Sequence, residues 1–139
     1  MKFKSSNSFL SKIIFLIIPI LLMLLNLFSY YKNGFSLMTV LWPIYILIML
    51  SMYFNTYYII DKERLYYKSG FVHKGSIEIK SIYKIIKVKR FYVGNKPALT
   101  SNGLLLCYNK YDDIFISPES LSLFIDTVTS LNPKVKVEI

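Results

Sequence analysis

Two long apolar stretches open the chain, and short alternating runs fill the rest. Residues 13–31 carry no charge and read Ile-Ile-Phe-Leu-Ile-Ile-Pro-Ile-Leu-Leu-Met-Leu-Leu before Asn26. Wound as a helix, a run of this length matches the hydrocarbon thickness of a bilayer. A second uncharged stretch is richest over residues 37–54, again long enough to cross with some tilt. Only Lys32, Asn33 and Gly34 and their immediate neighbours lie between the two. The pattern predicts a helical transmembrane hairpin within residues 1–55, spanning about 13–31 and 37–54, followed by one folded domain over residues 56–139.

From Thr56 onward, β-branched and aromatic runs are separated by turn residues, as antiparallel strands require. Residues 56–60 and 65–67 flank a turn at Asp61-Lys62-Glu63, and residues 71–79 continue past Ser69-Gly70 with a bend or bulge expected at Gly75. Residues 84–90 form a further strand, residues 94–97 a loop, and residues 104–108 and 114–117 a hairpin. Leu121, Phe124, Ile125, Val128 and Leu131 then fall on one face of a 3.6-residue period. Ser117 is placed to cap this helix with Pro118 at its first position, Asn132-Pro133 stops it, and residues 135–138 add an extended tail. The fold class is therefore α+β, strands followed by one amphipathic helix that must lay its apolar face on the sheet.

Charge orients this arrangement. Lys2, Lys4, Lys12 and Lys32 are the only charges before Thr56, and Lys62, Arg64 and Lys68 follow the second apolar run closely. Three lysines ahead of the first run and a basic cluster after the second predict both termini on the cytoplasmic side. Tyr30, Tyr31, Phe35 and Trp42 then fall toward the outer interface, and Tyr53, Phe54, Tyr57 and Tyr58 toward the inner one. A cleaved signal peptide would need small residues after the first run, yet the single alanine of the chain is Ala98. Pro19 and Pro43 interrupt the hydrogen-bond ladder of the two helices, and Asn26 and Thr39 fall at one depth, which predicts an interhelical hydrogen bond between them. Neither run holds an Asp, Glu, Lys, Arg or His for a proton or ion relay, which argues against a transporter or pump.

The string Ala98-Leu99-Thr100-Ser101-Asn102-Gly103-Leu104-Leu105-Leu106-Cys107-Tyr108, followed by Ile114-Phe115-Ile116-Ser117-Pro118 and the helix ending in Leu131-Asn132-Pro133, resembles the bacterial pleckstrin-homology-like domain family. The resemblance covers roughly residues 56–137. It implies a strongly bent antiparallel sheet or barrel, plugged at one end by the C-terminal helix and held behind one or two spanning helices. The family mostly lacks a defined molecular activity, so the resemblance informs the fold more than the function.

Candidate chemistry is sparse. His73, the one histidine, has no partners at metal-ligand spacing and reads as a surface residue, and no cofactor is expected. Cys107 sits in an apolar strand as a small hydrophobe, and the one cysteine of the chain leaves no internal disulfide to form. Asp112 and Asp113 are adjacent and better suited to a turn than to a catalytic pair. Phosphate loops, nucleophile elbows and helical His pairs are missing, so no enzyme is expected. The one constellation above background is Lys80, Lys84, Lys87, Lys89, Arg90 and Lys96, six cations without an intervening acid. Either these dock the domain on an anionic leaflet or they are solvated strand residues. The interleaved Ile82, Tyr83, Ile85, Ile86 and Val88 could suggest stacking platforms, but the apolar members are aliphatic and read as core, so nucleic acid is not an expected partner. The leading expectation is a membrane-anchored, non-enzymatic binding or scaffold module that engages lipid headgroups or a protein partner. Bacteriocin immunity and an accessory role in a membrane complex are the alternatives, and the oligomeric state is left open.

Overall fold

The computed structural model describes residues 1–89 and 92–138. An extended tripeptide, β1 (Lys2–Lys4), comes first, followed by two apolar helices, α1 (Phe9–Asn33) and α2 (Leu37–Phe54). Strands β2 (Thr56–Asp61), β3 (Arg64–Ser69) and β4 (His73–Glu78) follow. A single 3₁₀ turn (Ile79–Ser81) leads into β5 (Ile82–Val88), β6 (Gly103–Tyr108) and β7 (Asp112–Ile116), and the chain ends with α3 (Leu121–Leu131) and β8 (Lys136–Glu138). Both α1 and α2 are long and apolar enough to cross a membrane, and most of their large apolar side chains are exposed.

Capping fixes where the helices start. Ser8 and Ser11 form a reciprocal capping box at the start of α1, and Ser36 and Thr39 form another at the start of α2. A wide π turn over Ile13–Ile17 precedes Pro19, which lacks an N–H to donate, so the ladder adjusts ahead of it. Asn26 does reach across to α2, but its Nδ2 donates to the Met38 carbonyl at 3.3 Å, while Thr39 is engaged by the Ser36 backbone at 3.0 Å. The hydrogen bond expected between Asn26 and Thr39 is thus replaced: the cap claims the threonine, and the asparagine takes the Met38 carbonyl instead.

The strands form two four-stranded sheets, ordered β1-β2-β3-β4 and β7-β6-β5-β8. The sequence pattern does not anticipate β1. It pairs antiparallel with β2, Lys2 opposite Ile59 and Lys4 opposite Tyr57, so the whole helical hairpin stands where a β1–β2 turn would be. Ser5 then bridges to Pro118 beyond β7, and the Ser5 and Ser117 hydroxyls meet at 2.9 Å, which joins the two sheets along this seam. Residues ahead of the first helix therefore belong to the same folded body as residues 56–138.

The core lies between the sheets. Phe3, Tyr58, Ile60, Leu65, Ile77, Ile85, Leu104, Leu106, Ile114 and Ile116 fill it, and α3 closes one end with Phe124 and Val128. Phe3 meets Phe124 edge-on with ring centroids 5.2 Å apart. Leu131 of the predicted apolar face remains exposed, because the chain turns at Asn132 instead. Asn132 Nδ2 donates to the carbonyls of Ile79 and Ile82 at 2.8 and 2.9 Å, fastening the end of α3 to the β4–β5 corner.

Two local expectations change. The helix starts at Leu121 after Ser120, not after Ser117, because Ser117 and Pro118 are buried in the seam with Ser5. Gly75 makes no bulge: β3 and β4 pair without a slip, and Gly75 instead makes room for Tyr67, whose ring a Cβ there would strike. The irregularity falls in β5, between Ile82 and Lys84. The expected extended tail is β8, which pairs parallel with β5.

Candidate functional site

Alternation decides which side chains of the first sheet point outward. Tyr58, Ile60 and Leu65 face the core, so Tyr57, Ile59, Tyr66 and Lys68 face out. Register then aligns them in rows across the sheet. Lys4 lies opposite Tyr57, Tyr57 opposite Lys68, and Lys68 opposite Lys74, a row whose β2 member stands three residues after the helix end at Phe54. The next row is Lys2, Ile59, Tyr66 and Ser76, and the row farthest from the helices is Asp61, Arg64 and Glu78. Lys2 Nζ lies 4.2 Å from the centroid of the Tyr57 ring and Lys68 Nζ 5.9 Å, so the ring is held between two ammonium groups.

Two hollows mark this face. One of about 280 Å³ lies where the sheet meets the end of α2, with Lys2, Lys4, Asn7, Tyr53, Asn55 and Glu119 among its walls. The other, about 490 Å³ and wide open, is bounded by Tyr57, Tyr66, Lys68 and Lys74. Lys68 directly opposite Lys74 is a like-charged cross-strand pair, an arrangement that costs stability unless an anion meets it.

The six cations singled out by sequence do not form one patch. Lys80 pairs with Glu63 at 3.7 Å, at the end of the first sheet away from the helices. Lys84 pairs with Glu138 at 2.8 Å, and that contact raises its pKa. Lys87 and Lys89 lie at the other end of β5, beside Gly103, and Arg90 lies outside the described residues. Lys96 Nζ stands 5.3 Å from the centre of the Phe115 ring, and burial lowers its pKa. Lys2, Lys4, Lys68 and Lys74, by contrast, converge next to the helices. The signal for them was the outward register of β2 and β3, which becomes visible only when β1 is known to pair there.

Residues 56–132, more than half of the chain, match the bacterial PH domain family. The chain belongs to that family. No curated protein and no solved structure matches it.

Elsewhere in the PH domain, polar groups are tied up in structure. Tyr58 donates its hydroxyl to the Pro97 carbonyl at 2.6 Å and accepts from the Ser117 N–H at 3.1 Å, and burial raises its pKa. His73 is half-buried rather than free at the surface: its Nε2 sits 2.7 Å from Asn95 Oδ1, beside the Tyr67 ring. Cys107 stands opposite Asp113 in the β6–β7 ladder, and burial together with that carboxylate raises its pKa, which disfavours the nucleophilic thiolate. Tyr92 stacks on Phe115, and burial with the neighbouring Asp113 pushes its pKa up to about 12. Among the described residues, no three His, Cys, Asp or Glu side chains gather as a metal site would require.

Proposed function

We propose that this bacterial PH domain is a non-enzymatic binding module, anchored by a two-pass helical hairpin with both termini in the cytoplasm, that engages the anionic headgroups of its own membrane through the Lys4, Tyr57, Lys68 and Lys74 row. The observation that carries this reading is the uneven charge along the first sheet. Lys2, Lys4, Lys68 and Lys74 gather at the end that meets the helices, with Glu119 beside them, whereas at the opposite end Asp61, Glu63 and Glu78 lie among Lys62, Arg64 and Lys80 and the charges balance. A leaflet rich in anionic lipid attracts each nearby lysine by about 1 kcal/mol and repels acids, so such a domain lies with this end down. The β1–β2 pairing supports a hairpin that leaves and returns on one side.

The test uses the full chain in vesicles of phosphatidylcholine with or without phosphatidylglycerol. Lysine methylation is followed residue by residue by mass spectrometry. Lys68 and Lys74 are expected to react several-fold more slowly when phosphatidylglycerol is present, and Lys80, at the far end, at an unchanged rate. Equal rates for Lys68 and Lys74 in both vesicles would refute headgroup binding at this row.

A further inference from the structure

The β3–β4 turn, residues 70–72, carries two apolar side chains that the fold leaves uncovered. Phe71 is 76% exposed and Val72 75%, more than any apolar residue of strands β2 to β7. The turn is not a free tip. Gly70 takes a left-handed backbone, φ +62°, and donates its N–H to the Asn55 carbonyl at 3.3 Å. A Cβ on Gly70 would come within 2.9 Å of Met52 Cγ and 3.1 Å of the Met52 backbone nitrogen, so the turn is pressed against the last turn of α2. Phe71 and Val72 are thereby held level with the end of an apolar helix whose final residues, Tyr53 and Phe54, are aromatic.

The flanking residues select the occupant. Lys68 and Lys74 stand two positions from Gly70 and Val72 respectively, facing each other across the ladder. Two exposed apolar residues bracketed by paired lysines, fixed beside a helix end, match the boundary where headgroups give way to acyl chains. The next loop adds to the same end: the His73–Asn95 contact ties it to β4, and Val93 in it is 84% exposed.

We infer that the residue 70–72 turn is a membrane wedge: Phe71 and Val72 enter the acyl boundary of the anionic leaflet beside α2 and lock the PH domain against the bilayer. The wedge rests on the proposed membrane anchoring, and its test separates the two. In a Trp42→Phe background, which removes the single tryptophan, Phe71→Trp is introduced into the full chain. Tyr111→Trp, on the β6–β7 turn and 85% exposed at present, serves as the control. Both are reconstituted in vesicles of equal parts phosphatidylcholine and phosphatidylglycerol, with a quencher attached near the top of the acyl chain. Tryptophan at position 71 is expected to emit at shorter wavelength and to be quenched several-fold more than at position 111. Equal quenching at the two positions overturns the wedge. If quenching is equal while Lys68 and Lys74 remain shielded from methylation by phosphatidylglycerol, the headgroup reading survives and only the wedge fails. If the chain is instead released from vesicles by alkaline carbonate, the anchoring fails and the wedge with it.

Discussion

Tyr58 shows how one polar atom can hold several segments together. Its hydroxyl joins β2 to the Pro97 carbonyl and to the Ser117 amide, beside the Ser5 hydroxyl, which accepts from the Leu99 N–H at 3.3 Å. Tyr58→Phe leaves a buried carbonyl and a buried amide without that partner and is expected to destabilise the domain by about 1–3 kcal/mol. Urea unfolding of the detergent-solubilised full chain, followed by near-ultraviolet circular dichroism, measures the change. The same residue makes alkali a denaturant. Burial raises the Tyr58 pKa above its ordinary value of 10.0, so the folded state holds the proton more tightly than the unfolded state does. That contribution is complete below 10.0 and falls as pH rises through the folded value. Tyr92, at about 12, and Tyr108, raised chiefly by burial, add losses of the same sign. The urea midpoint is therefore expected to fall on going above pH 10.0, and to fall less steeply in Tyr58→Phe.

At the scale of elements, legibility followed length and locality. The two apolar helices announce themselves by the length of their uncharged runs, α3 because its apolar residues repeat one period, and β2, β3, β6 and β7 because turns bound them. β1 could not be read this way. Lys2-Phe3-Lys4 is too short to show a period, and its partners Tyr57 to Ile59 lie beyond the helical hairpin. The lysines that suggest an orientation also conceal that they alternate with a core phenylalanine. The basic row was missed for the same reason, since it exists only through pairings between separated segments. The start of α3 was misplaced because Ser117-Pro118 satisfies the local rule for a cap while the Ser5 seam consumes it. Because β1 is part of the sheet, Phe3→Ala should behave as a core truncation: with Phe3 6% exposed and set against Phe124, a loss of about 3–5 kcal/mol is expected in the same urea measurement. A loss below about 1 kcal/mol would mean that the segment is a loosely held tail.

For the molecule as a whole, the proposed membrane anchoring makes β1 a link between insertion and folding. Charge around each apolar run biases its direction independently, but β1 and β2 can pair only when the segments before α1 and after α2 emerge on one side. An arrangement with the two segments on opposite sides loses the β1–β2 ladder, the Ser5 seam and Phe3 from the core together. In the proposed anchoring, folding would therefore reinforce the orientation that the lysines favour and carry the cation-rich end of the domain toward the leaflet that attracts it. Single cysteines in a Cys107→Ser background read this out. In intact cells a membrane-impermeant maleimide is expected to label Asn33→Cys, at the end of α1, and to leave Asn7→Cys and Lys134→Cys untouched until the cells are permeabilised. Labelling of Asn7→Cys from outside, with Lys134→Cys still protected, would place the two strands on opposite sides of the bilayer, where they could not form one sheet.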